Sequence, residues 1–263
     1  QFIDCFTKPD WFSKRTKNNI YMNSMILKIK EDILKEADSK QAENLKRFFK
    51  TAPGEYGYGD KFHGIKVPVL RKIANNYYKQ MDLKEIKKLL DSEFHEERFV
   101  SLVILIKKYE QGTESIKTEI FNFYIENINR INNWDLVDVS CPNIIGDYLL
   151  NKDKSILYEF SSSDNLWKRR ISIISTFCFI RNNIFNHTID LCKILINDKS
   201  DLIHKACGWM LRESGKRNLP LLLKFLDKNH EDMPRTMLRY SIEKLDDVQR
   251  KKYLYGFISK KDF

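Results

Sequence analysis

Apolar residues recur at intervals of three and four along nearly the whole chain, and strict alternation never persists over a useful length. That period predicts amphipathic helices rather than strands. It places helices over 26–37, 41–49, 69–80, 83–90, 96–109, 115–127 and 134–150. The stretch APGEYGYGDKFHGIKVP, 52–68, breaks the pattern with four glycines and flanking prolines and is expected to be a loop. Residues 1–21 mix charge and aromatics ahead of the first clear helix and are expected to form an N-terminal extension.

The helices fall into units. Arg98, Trp134, Arg170 and Trp209 sit at comparable offsets in successive helical stretches, 36, 36 and 39 residues apart. Two-helix units of about 40 residues are the signature of HEAT-like arrays, in which each unit buries its apolar face only against its neighbours. The expected fold is therefore all-α, a HEAT-like helical repeat solenoid (α-α superhelix) with a concave basic face, formed by a single domain over 22–263.

Charge and composition narrow the function. Lysine and arginine outnumber the acids 46 to 36, an excess that favours polyanionic partners through counterion release. No apolar run approaches the roughly 18 residues of a membrane span, and nothing resembles a secretion signal. The five cysteines are odd in number without a C-x-x-C pair, and Cys141, Cys178 and Cys207 lie inside apolar helical patterns. A reduced, intracellular, cytoplasmic protein is expected. The five histidines lack ligand spacing, so no metal site is expected.

The candidate chemistry starts in NNWDLVDVSCPNIIGDYLL. Val137, Cys141, Ile144 and Tyr148 form a buried stripe, and Trp134 and Asp138 lie together on its shoulder, about 40° apart on a helical projection. Asn133 can cap the helix, Asp135 suits its dipole, and Pro142 should kink it. Asp138 has no comparable structural explanation. In DNLWKRRISIISTFCFI, Asp164 is the expected cap, and Ile171, Ile174, Phe177 and Cys178 the stripe. Lys168, Arg169 and Arg170 form a basic turn, with Arg170 best placed to face a groove. In HKACGWMLRESGKRNLP, Ala206, Met210 and Ser214 share one face and Gly208 permits a close helix approach. Trp209 and Arg212 share another face. Three of the four tryptophans thus sit at corresponding places in successive units.

WDLVD, LWKRR and KACGWMLRE, together with FHGIKVPVLRK and HEERFVSLVIL upstream, resemble the AlkD-type DNA alkylation repair glycosylases over roughly Lys40 to Lys244. The resemblance implies HEAT-like repeats that cradle duplex DNA and excise cationic N3- and N7-alkylated purines, without a cofactor and without extruding the base. It makes Asp138 the catalytic carboxylate, with Trp134 and Trp209 as aromatic walls around the sugar and backbone. It makes Arg170 a DNA-backbone contact near the lesion and Arg212 a phosphate contact. Lys168 and Arg169 join the DNA-binding set from the same basic turn. The expected partner is double-stranded DNA carrying alkylated purines, bound by a monomer. The competing reading is a non-catalytic HEAT-repeat array that binds nucleic acid or serves as a scaffold.

Overall fold

The computed structural model describes residues 25–255; the expected extension at 1–21, and Cys5 within it, lie outside the described residues. The fold is all-helical, a helical-repeat architecture, and the one β feature among the described residues is an isolated parallel bridge between Lys61 and Phe94. The helices are α1 (Met25–Lys35), α2 (Ser39–Phe48), α3 (Val67–Tyr77), α4 (Leu83–Leu90), α5 (His95–Gln111) and α6 (Glu114–Glu126). Then come α7 (Trp134–Cys141), α8 (Ser155–Ser161), α9 (Leu166–Arg181), α10 (Asn186–Ile194), α11 (Asp201–Arg217), α12 (Leu219–Asn229), α13 (Arg235–Ser241) and α14 (Asp247–Tyr255). No helix among the described residues is long and apolar enough to cross a membrane.

The described chain divides into two compact units, 25–48 with Asp60–Ile104, and Phe49–Gly59 with 105–255. In the first, Ile26, Ile29 and Ile33 recur at helical spacing on α1, are buried, and pack against α3 and α4. A fully buried isoleucine contributes roughly 1.5–3 kcal/mol. Asp82 and Glu85 close a reciprocal capping box that fixes where α4 begins.

HEER at the start of α5 is the anchor of the preceding loop. The buried Glu96 carboxylate accepts the backbone N–H groups of His63, Gly64 and Ile65 at 2.8–3.2 Å. Arg98 donates to Asp60 at 2.7 Å and to the Ser92 carbonyl at 3.0 Å. Gly64 is obligatory in this loop: its φ is +88°, and a Cβ there would meet the Asp38 carbonyl oxygen at 2.0 Å.

In the second unit, α7, α9, α11 and α13 pack in a row, each against the next. Helices α8 and α10 pack on α9, and α12 packs on α11. Close approach within the row depends on Gly208 of α11, where an added Cβ would lie 2.5 Å from both the Met237 carbonyl oxygen and Tyr240 Cβ of α13. The expected stripes are largely buried. Val137, Cys141, Ile144, Ile171, Ile174, Cys178, Ala206, Met210 and Ser214 are all in the interior, whereas Tyr148 and Phe177 remain partly exposed.

Pro142 acts where its missing N–H requires. The helix passes into a π-turn, Pro142–Gly146, before resuming at Asp147–Leu149. The Asn143 side chain donates to the Val139 carbonyl at 2.9 Å, satisfying an acceptor within the altered ladder. The cap of α9 is Asn165 rather than the neighbouring Asp164: its side chain accepts from the N–H groups of Trp167 and Lys168.

Candidate active site

Asn133 sets the start of α7. Its backbone is extended, and its side-chain oxygen accepts the Trp134 N–H at 2.8 Å. Two turns later, Ser140 accepts burial by bonding the Leu136 carbonyl at 2.5 Å and the Tyr124 hydroxyl at 2.8 Å. With Leu136, Val137, Ser140 and Cys141 committed to the interior, Trp134 and Asp138 are left half-buried on the shoulder.

Trp134 is held on two sides by the segment that precedes α3. Its ring stacks on Phe49, with centroids 5.4 Å apart and an interplanar angle of 25°. Its indole N–H donates to the Tyr56 hydroxyl, and Tyr56 also meets Trp167 edge-on at 6.0 Å. Burial raises the Tyr56 phenol above its ordinary range, against opposing effects of the Trp134 bond and the Lys205 ammonium. Tyr56 was not legible as a site residue, because the glycine-rich loop carries no period, and Phe49 read only as the end of the expected helix 41–49; the paired tyrosines in EYGYG were the one available signal.

Asp138 meets Arg170 across the α7–α9 interface in a two-point fork. Nε donates to Oδ1 at 2.9 Å and Nη2 to Oδ2 at 2.7 Å, while Nη1 donates to the Leu202 carbonyl of α11 at 2.5 Å. The Arg170 side chain is 6% exposed and that of Asp138 17%. Burial pushes the Asp138 carboxyl up from its ordinary value, and the Arg170 charge and hydrogen bonds oppose that rise. The acid left unexplained by the sequence therefore has a structural partner, 32 residues away.

Arg170, expected as a DNA-backbone contact, is engaged within the protein. Its guanidinium has three donors committed and its side chain is 6% exposed, so in this structure it holds Asp138 and the Leu202 carbonyl. Arg169 also has partners within the protein. It donates to Asp198 at 2.6 Å, and to the carbonyls of Ser163 and Asp164 at 2.9 Å each, tying the start of α9 to the turn before α11. Lys168, half-buried, places its ammonium 5.5 Å from the Phe160 ring centre.

The remaining two predicted residues lie on α11. Trp209 is half-buried and meets Phe177 of α9 at 5.7 Å with a 45° tilt. Arg212 bonds Glu243 through Nη1 and has Glu213 3.6 Å from Nε, leaving 16% of its side chain exposed. The structure thus unites Trp134, Tyr56, Phe49 and Trp167 in one aromatic cluster and Asp138 with Arg170 in one ion pair; it gives Trp209 a different aromatic partner. No group of histidine, cysteine or carboxylate side chains among the described residues is arranged to hold a metal.

Residues 29–245 match the family model described as DNA alkylation repair enzyme. Among solved structures, the chain is similar to one described as a predicted DNA alkylation repair enzyme from Enterococcus faecalis. The TM-score is 0.63 at 14% identity, covering 81% of this chain and 98% of that one, a likeness of fold. No curated protein matches the sequence.

Proposed function

This chain belongs to the DNA alkylation repair enzyme family, and from that premise we propose that it is a DNA glycosylase excising cationic N3- and N7-alkylated purines from duplex DNA. The observation that carries the reading is the Asp138 carboxylate. It stands beside the Trp134 ring on the shoulder of α7, gripped by Arg170 along one edge and still partly open to solvent.

Alkylation at N3 or N7 makes the purine a cation and a good leaving group. As the C1′–N bond breaks, its electron pair leaves with the base and positive charge develops on the deoxyribose. A preorganised carboxylate next to that charge stabilises the transition state, and one such group is typically worth about 3–4 kcal/mol. Water then adds at C1′ and releases a proton, leaving an abasic site.

The fork shapes the role of Asp138. A carboxylate bonded at both oxygens to a guanidinium is a poor nucleophile but a rigid one, so it acts through its field and through orienting water rather than by forming a covalent glycosyl intermediate. The aromatic faces of Trp134 and Trp209 favour a cationic sugar over a neutral one, each by roughly 0.5–2 kcal/mol. Both effects grow only as charge develops, which is the condition for acceleration. In this reading the lesion stays stacked, its own charge is required for excision, and neutral lesions are poor substrates. The enzyme acts as a monomer.

A second reading has one observation in its favour: Arg170 by itself accounts for the presence of Asp138, as it would in a helical array that binds nucleic acid without cutting it. Incubation with methylated duplex DNA, followed by chromatography of the freed bases, separates the two. Release of 7-methylguanine and 3-methyladenine supports the glycosylase; binding of the duplex with no release supports the array.

A further inference from the structure

Beyond the residues already described, the row ends in an arginine-lined groove. Helices α13 and α14 enclose a surface cavity of about 460 Å³ whose lining includes Arg235, Arg239, Arg250, Tyr240, Tyr255 and Glu243. All three arginines are exposed, yet they are differently engaged. Arg235 donates to the Leu254 carbonyl at 2.9 Å and lies 5.8 Å from the Tyr255 ring centre, so it joins the two helices. Among the described residues, the Arg250 side chain pairs with Asp247 at 3.3 Å, an exposed pair one turn away that does little to hold it. Arg239 has no hydrogen-bond or ion-pair partner among the described residues. The single acid of the lining, Glu243, is already engaged by Arg212 and by Lys244 at 3.3 Å. Among the described residues the groove is therefore left with an excess of positive charge.

We infer that this groove is a phosphate-binding site, taking the sugar–phosphate backbone of duplex DNA at a distance from the reacting nucleotide. The inference rests on the reading of the protein as one that acts on duplex DNA. Guanidinium groups suit the ligand because their planar fork donates two hydrogen bonds to a phosphate. Tyr240 and Tyr255, both exposed, supply the apolar rims against which a sugar can lie.

The position of the groove follows from the packing row. Asp138 of α7 bonds Arg170 of α9, Arg170 bonds Leu202 of α11, and Gly208 of α11 admits Tyr240 of α13. Three steps at interaxial distances of 8–10 Å put α13 roughly 24–30 Å from α7. With a rise of 3.4 Å per base pair, a duplex laid along the row meets the groove roughly 7–9 base pairs from the lesion.

The test uses the full chain and its Arg239→Ala/Arg250→Ala variant, leaving Arg235 in place to hold α14. The probes are duplexes with a central 7-methylguanine flanked by 5 or 12 base pairs on each side in turn. Wild type should bind more tightly, by at least fivefold, when one particular flank is long, and the variant should lose that preference. Its log–log salt slope should be shallower by roughly 1.8, two contacts at about 0.9 each. Single-turnover base release at saturating protein should be unchanged in the variant. A wild-type flank preference and salt slope that survive in the variant overturn the groove assignment. Wild type that binds neither duplex overturns the underlying reading and the groove with it.

Discussion

Arg170 grips both oxygens of Asp138 from the neighbouring helix, at 2.9 and 2.7 Å, and anchors its remaining arm on a carbonyl of a third helix. The acid is thereby fixed in direction as well as in place. A carboxylate free to rotate would have to reorganise as charge develops on the sugar; one held by a planar fork does not. In the proposed mechanism Arg170 acts through Asp138, as the group that aims it.

Removal of that arm should therefore show in two ways. Arg170→Ala leaves a largely buried carboxylate without its cation, a change that typically costs roughly 3–5 kcal/mol, and thermal melting should report it. With the cation gone, the Asp138 carboxyl should rise further, because burial then acts unopposed. The acid limb of the pH–rate profile should move to higher pH, with partial return in Arg170→Lys. An unmoved limb would mean that Arg170 supports the fold alone.

Helix approach within the row makes a second, independent prediction. Gly208→Ala drives a methyl group to 2.5 Å from the Met237 carbonyl oxygen, which cannot move without displacing α13. Overpacking of this kind costs about 1–3 kcal/mol. Urea denaturation should show a lowered midpoint with an unchanged slope, and a variant as stable as wild type would contradict the packing described.

Stability against acid should depend on Glu97. Burial pushes its carboxyl up, but hydrogen bonds from His63, Lys30 and Ser92, with the Lys30 charge, overrule burial and hold it down at about 2, against an ordinary 4.5. Between those values the unfolded chain binds the proton and the folded chain does not. The stabilisation, about 3 kcal/mol for a shift of this size, is present above pH ~4.5 and disappears as the pH falls towards 2. Glu97→Gln should flatten the pH dependence of stability in that window; an unaltered acid transition would place its cause elsewhere.

The sequence made the local features legible. The three-four period located the helices, Pro142 marked the break in α7, and Gly208 marked a close approach, because each is a property of one segment. Trp134 and Asp138 were legible as a pair for the same reason. Their partners were not: Arg170 and Phe49 reach them from other elements, and no spacing within a helix encodes that meeting. Arg169 shows the converse, a cation that reads as solvent-facing until Asp198, 29 residues on, is seen to hold it at 2.6 Å. Asn165 displaced Asp164 as a cap because adjacent polar residues compete for one position, and backbone geometry decides between them.

The central claim is that one negative side chain, steered by its arginine, meets a transient cation on the sugar. Single-turnover release of 7-methylguanine by Asp138→Asn, measured beside duplex affinity, tests it most directly. The substitution keeps shape while removing charge, so release should fall by about 10²–10³-fold with affinity within about threefold of wild type. Release at the wild-type rate from a variant that binds normally would contradict the mechanism.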